Sequence, residues 1–237
     1  VLGMGFTFDD DNPDATPLAE MERLIASDPH NKERIFPYIG GEEVNESPTH
    51  AHHRYVMNFG EMTEEEARSW PDLMAIVNAK VRPQRLRDKR SSYRRYWWQY
   101  AEKRSELYPA IRHLDRVLVI SQVSKYFVFA FLPTGMVYSH RLYVIAESRW
   151  QAFAVLQSSL HDLWARFFGS TLEDRPMYAV ESCYEAFPFP GEWQSSVNLE
   201  EAGRAYYEFR AALMARSSEG LTRTYNRFHD QDDRDPD

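Results

Sequence analysis

The chain has 237 residues, 43% hydrophobic and 14% aromatic, a composition that builds a core and confines disorder to the ends. Its single cysteine, Cys183, excludes an internal disulfide and suits a reducing compartment, and no apolar run is long enough to cross a bilayer as a helix. The net charge of −8, taken alone, argues against nucleic acid, yet the charge is unevenly spread: acids crowd the first sixty-odd positions and the tail, while Lys80, Arg82, Arg85, Arg87, Lys89, Arg90, Arg94, Arg95, Lys103, Arg104, Arg112 and Arg116 form a basic strip.

In chain order, Val1 leads directly into the apolar run to Phe6, which reads as a strand entered midway; together with the acidic run Asp230–Asp237 at the other end, this reads as a fragment with both flanks removed. Thr16 with Pro17 predicts a capped helix whose Leu18, Met21 and Ile25 share a face. Ile35–Ile39 is apolar and aromatic, ended by a Gly40-Gly41 turn, and Tyr55–Phe59 reads as a strand. Thr63 and Glu66 form a capping box, and the helix they open must bend or restart at Pro71 and run to about Lys80. Ser105–Leu114 looks helical. Three β-rich runs follow, Val117–Val123, Phe127–Leu132 and Met136–Ala146, the last two expected to form a hairpin across Pro133-Thr134-Gly135. Ser148–Phe168 predicts one helix with Phe153, Gln157, Leu160, Trp164 and Phe167 on its buried stripe and Gly169 as its stop. Met177–Phe189 reads as extended. A last helix is expected from Asn198, boxed by Glu201, burying Leu199, Ala202, Tyr206, Phe209 and Leu213. Hairpins and helices without regular βαβ alternation predict an α+β fold: a mixed or antiparallel sheet with hairpins and flanking helices.

Much chemistry is missing. Gly3-Met4-Gly5 is too little for a nucleotide fingerprint, and there is no phosphate-binding loop. His50, His52 and His53 lack further ligands at metal-binding spacing and are expected on a solvated loop, so no metal site is assigned. Cys183 reads as a small buried thiol, and no acid–base dyad or catalytic residue stands out.

Two constellations remain. Arg94-Arg95-Tyr96-Trp97-Trp98-Gln99-Tyr100-Ala101-Glu102-Lys103-Arg104 alternates cations with flat rings; guanidinium groups pair with phosphates, while Trp97 and Trp98 are expected to anchor the segment in the core. Ser121, Gln122, Ser124, Lys125 and Tyr126 face Ser139, His140 and Arg141 at the mouth of the predicted hairpin. Gln can bond adenine bidentately and Arg guanine, although polar residues on a solvent-facing strand look the same.

These residues carry a resemblance. Trp70-Pro71-Asp72-Leu73 through Val81-Arg82-Pro83-Gln84-Arg85, the run Tyr93–Arg104, Val123-Ser124-Lys125, Phe129–Gly135, Phe153–His161, Cys183–Pro190 and Leu221–His229 are, in this order, similar to segments of the MmeI-like (Type IIL) restriction–modification enzymes. The resemblance implies a DNA target-recognition domain over residues 1–190, with a helical segment and acidic tail over 191–237. It further implies a parent chain that carries an adenine-N6 methyltransferase domain using S-adenosylmethionine, and often a nuclease, in the bacterial cytoplasm. That family's catalytic motifs match no position here, so no cofactor is expected in this stretch. The expected partners are double-stranded DNA and the methyltransferase domain, and no membrane. Arg94, Arg95, Lys103, Arg104 and Lys125 are expected on the DNA backbone, and Gln122, Ser124, Tyr126, His140 and Arg141 on base edges. A protein-interaction domain or a small stand-alone enzyme are the rival readings; salt-sensitive duplex binding separates the first reading from both.

Overall fold

The computed structural model describes residues 3–101, 103–172 and 175–230; Glu102 of the basic run, Val1 and Leu2 of the first apolar run, and 231–237 of the acidic tail lie outside the described residues. In order, the chain forms β1 (Thr7–Phe8), α1 (Leu18–Ser27), β2 (Ile35–Ile39), α2 (Gly41–Glu46), β3 (Arg54–Met57), α3 (Glu64–Ala67), α4 (Pro71–Lys80), α5 (Arg82–Arg85), α6 (Ser91–Arg95) and α7 (Leu107–Ile111). Then come β4 (Arg116–Ser121), β5 (Ala130–Pro133), β6 (Val137–Tyr138), β7 (Leu142–Ile145), α8 (Trp150–Leu156), α9 (Ser159–Phe168), β8 (Ser170–Leu172), β9 (Arg175–Met177), α10 (Val197–Ser217) and α11 (Leu221–Phe228). Helices and antiparallel sheets are mixed without βαβ alternation, so the fold is α+β as expected. Two compact units share the chain: the first takes the residues up to Ile39, His52–Ser105 and Gly135–Val137, the second Gly40–Ala51, Glu106–Thr134 and the residues from Tyr138 onward.

In the first unit β1, β3 and β2 pair in that order, in register Thr7↔Val56 and Ile35↔Met57, and Val137 of β6 lies at the far edge. Phe6, Phe8, Val56, Met57, Phe59, Leu73 and Val77 are wholly buried between this sheet and α1 and α4. Burying each such side chain stabilises by roughly 1.5–3 kcal/mol. The Thr63–Glu66 capping box and the restart at Pro71 both form as the sequence predicts. Thr16 does not cap α1: the carboxylate of Asp10 accepts from Leu18 N at 2.8 Å instead, a longer-range partner that spacing alone does not reveal. Gly5 serves packing, since a Cβ there would stand 2.7 Å from Val81 Cγ2. Trp97 and Trp98 are buried as expected and Tyr100 is buried beside them, and the indole of Trp98 and the amide of Gln99 both donate to Met62 O, at 2.9 and 2.8 Å.

The second unit is built on a three-stranded sheet in the order β5–β4–β7. Val117–Ile120 are all fully buried, which suits a central strand covered on both faces. The expected hairpin between the second and third runs is therefore wrong. Gly135 does turn, at φ +86, but β5 pairs with β4 in register Val117↔Leu132, and the third run breaks into β6 and β7. The single helix over 148–168 is also corrected. Ser158 is extended and its hydroxyl accepts from His161 N at 3.2 Å, ending α8 and capping α9. That break turns Leu160 (74% exposed) and Phe167 (78%) outward, and α9 buries His161 and Ala165 instead. Gly169 stops α9 as expected, because a Cβ would lie 2.4 Å from Ala165 O. Residues Val180–Glu185, expected extended, wind into a π-turn around the fully buried Cys183.

The last helix begins two residues before Asn198's expected role would place it, capped by Ser196 accepting from Leu199 N at 3.3 Å. Its buried line runs through Gly203, Arg210 and Met214, while Tyr206 and Phe209 are exposed. Gly203 sets this rotation, letting the α10 backbone approach Trp150 of α8, where a Cβ would clash at 2.4 Å with the Trp150 carbonyl. Arg210 is buried, and among the described residues no carboxylate pairs with it; its guanidinium donates to Phe129 O at 2.7 Å and the Tyr225 hydroxyl at 3.2 Å and lies 5.1–5.2 Å from the Phe153 and Tyr207 rings.

Candidate functional site

At one end of the β5–β4–β7 sheet the chain leaves β4 after Ser121 and enters β7 at Leu142, which are register partners. The pairing extends one step further, Gln122 N donating to Arg141 O at 2.8 Å, so Gln122 and Arg141 stand side by side where the strands give way to loops. The Gln122 amide donates to the Tyr143 hydroxyl at 3.1 Å. Ser139 Oγ accepts from Arg141 N at 3.2 Å and tightens the turn that presents His140 and Arg141, both exposed. Ser124 N donates to Pro176 O at 3.3 Å and Val123 bridges Met177, tying the loop to β9.

Lys125 and Tyr126 face another neighbour. Lys125 Nζ and the Tyr126 hydroxyl both donate to Asn226 Oδ1, at 2.8 and 3.1 Å, and the Tyr126 ring stacks on His229 at 4.8 Å with an interplanar angle of 13°. Asn226 and His229 are one helical turn apart at the end of α11. Their spacing of three was the one sequence signal for this role, and it is too common to single out.

The helix α2, expected only as a Gly-Gly turn, supplies a further wall. Gly41, Glu42, Asn45 and Glu46 of α2 line a cleft of ≈ 330 Å³ with Ser121, Val123 and Arg141. Asn45 Nδ2 donates to Ser121 Oγ at 2.9 Å. The Glu43 carboxylate accepts from Gly40 N at 2.9 Å, which caps the helix that replaces the turn. Gly220 packs so tightly that a Cβ would stand 2.4 Å from Asn45 O. His50, expected on a solvated loop, instead donates from Nδ1 to Val44 O at 2.8 Å. Burial, with the Arg210 charge second, pushes its imidazole down to about 4.

The basic, aromatic segment belongs to the first unit. Arg94 and Arg95 are exposed on α6; Arg94 donates to Asp88 O at 2.6 Å and Lys89 O at 3.0 Å, closing its own turn. The Arg95 guanidinium and the Lys103 ammonium each lie 5.3 Å from the Tyr96 ring. Arg104 is half-buried in a left-handed conformation at φ +46. Nearby Arg90 stacks on Tyr93 at 3.6 Å, and Arg85 lies 4.3 Å from the same ring, fully buried, its guanidinium held below the ordinary range by desolvation. In the same unit, ligating atoms of Asp9, Asp11 and His53 lie within 4.8 Å of one another.

Two comparisons with known proteins are informative. A family model described as the MmeI target recognition domain matches residues 10–191. The solved structure of the Type IIL restriction–modification enzyme MmeI in complex with DNA is similar in fold, with a TM-score of 0.62 at 22% identity over 94% of this chain. This chain spans 28% of the length of that one. No curated protein matches.

Proposed function

This chain belongs to the MmeI target recognition domain family, and we propose that it reads a short sequence in double-stranded DNA for a parent restriction–modification enzyme. The observation that carries the reading is the convergence of Gln122, Ser124, His140 and Arg141 at one end of a rigid sheet, with Gln122 and Arg141 locked together by a backbone hydrogen bond. Gln and Arg are side chains that pair bidentately with adenine and guanine edges in the major groove. Loops pinned on both flanks offer them with little entropy left to lose on binding. In this reading Gln122, Ser124, Tyr126, His140 and Arg141 meet base edges. Arg94, Arg95, Lys103, Arg104 and Lys125 meet phosphates, which position the domain without specifying sequence.

The parent activity follows as part of the same proposal: an adenine-N6 methyltransferase domain in the same polypeptide, working in the bacterial cytoplasm, methylates the site this domain selects. The residues here do not fit its cofactor, S-adenosylmethionine. Gly3 and Gly5 do not form a cradle, because Gly5 is filled by its contact with Val81, and no Asn/Asp-Pro-Pro-aromatic loop is present. No step of methyl transfer is assigned to this chain. Among the described residues no helix is long and apolar enough to cross a membrane.

The test is a salt titration of duplex binding. Affinity is expected to fall linearly on a logarithmic scale with rising salt, and each of Arg94→Ala, Arg95→Ala and Lys125→Ala to flatten the slope by about one unit or less. Gln122→Ala and Arg141→Ala are expected to relax preference at single base pairs and leave that slope alone. Salt-insensitive or absent binding to every duplex would instead favour a protein-interaction domain, a reading the exposed apolar line Leu160, Leu163 and Phe167 on α9 supports.

A further inference from the structure

The cleft between α2 and the end of β4 mixes charges that a phosphate-gripping surface would not. Arg141 stands at it with two carboxylates, Glu42 and Glu46, one helical turn apart on α2. Among the described residues no ion pair joins Arg141 to either of them. The cleft is built rather than incidental: Asn45 is fixed to the buried Ser121 hydroxyl, and Gly220 presses on the backbone of Asn45 and Glu46 without room for a methyl group.

We propose that α2 is a base-reading element and that this cleft takes the major-groove edge of one base on a fixed strand, a base with an exocyclic amine (cytosine N4 or adenine N6) rather than guanine or thymine. The proposal rests on the DNA-recognition reading and deepens it. A carboxylate brought to a duplex is repelled by phosphates and by guanine O6, N7 and thymine O4. The major-groove groups it attracts are the amino hydrogens of cytosine and adenine. Glu42 and Glu46 accept from that amine, and the Asn45 carbonyl oxygen, its amide already committed to Ser121, adds an acceptor on the same wall. Arg141 supplies the donors for the partner base or its neighbour. The volume, ≈ 330 Å³, is at the small end for a binding pocket and matches a base edge better than a whole ligand.

The experiment selects preferred sites from a randomised duplex pool with the full chain and with Glu42→Gln, Glu46→Gln and the double variant. Glutamine keeps size and removes charge, and both positions are exposed, so the urea midpoint serves as a check that each variant is folded. The wild type is expected to prefer cytosine or adenine over guanine or thymine at one position of one strand of its site, and at least one variant to lose about 10-fold of that preference with the salt slope unchanged. Identical preferences in all three variants would overturn the proposal. So would a uniform rise in affinity for every duplex with a steeper salt slope, which would mean the carboxylates only repel phosphates. A wild type that binds no duplex would instead remove the DNA-recognition reading itself, a result separable from the other two.

Discussion

A methyl group at Gly203 would stand 2.4 Å from the Trp150 carbonyl oxygen, so this one residue decides how closely α10 lies against α8. The clash is with backbone, which yields only if the helices part. Gly203→Ala is therefore expected to cost about 1–3 kcal/mol in urea denaturation, despite alanine's higher helix propensity. A neutral or stabilised variant would show that the helices are not in contact. His50 makes a second prediction. Its folded-state value of about 4 lies below the ordinary 6.5, so above pH 6.5 it is neutral in both states and contributes no pH dependence. As the pH falls from 6.5 towards 4, only the unfolded chain takes up the proton, and stability drops by up to about 1.4 kcal/mol per unit. His161, also lowered by burial, acts in the same direction. Urea midpoints at pH 7, 6 and 5 should fall, and His50→Gln should flatten the decline; an equal slope in the variant would remove His50 as its source.

Among the elements, the break between α8 and α9 shows how little separates a long helix from two short ones. The apolar periodicity from Phe153 to Phe167 is continuous. Ser158, however, has a local alternative, its hydroxyl accepting from His161 N and donating to Val155 O at 2.7 Å. Gln157 is drawn off the helix surface to accept from Phe129 N at 2.9 Å. Ser158→Ala removes the cap and is expected to destabilise by about 1 kcal/mol, seen as a lowered melting temperature with helix content little changed. A gain in stability would mean the break is imposed by packing alone. The elements legible in advance, α3 with its capping box and α4 starting on Pro71, are those whose signals are local. The face of α10 was misjudged because its buried line consists of Gly203, Arg210 and Met214, and no hydrophobicity pattern counts a glycine and an arginine as core.

For the whole molecule, the chain passes between the two units repeatedly, so neither is a continuous stretch. Residues 106–237 hold most of the second unit but omit Gly40–Ala51, and with it α2, whose Asn45 bonds Ser121 and whose backbone receives Gly220. A fragment of 106–237 is expected to expose apolar surface and melt without a sharp transition, whereas the full chain melts cooperatively, as followed by dye binding and circular dichroism. A fragment as cooperative as the full chain would mean α2 is an appendage.

Composition, the basic strip and the ordered run of family-like segments were enough to fix the fold class and the family, because those properties belong to the linear chain and survive any arrangement of it. The buried tryptophans and the polar loop at the end of β4 were readable for the same reason: indole rings need a core, and short polar residues after a fully apolar strand need an exit from it. Which strand sits in the middle of the second sheet, which face of α10 is buried, and that α2 and α11 flank the candidate site came only from the tertiary structure. These depend on contacts between residues tens to more than a hundred positions apart, Asn45 with Ser121 and Lys125 with Asn226 among them, and no local pattern encodes a distance of that kind.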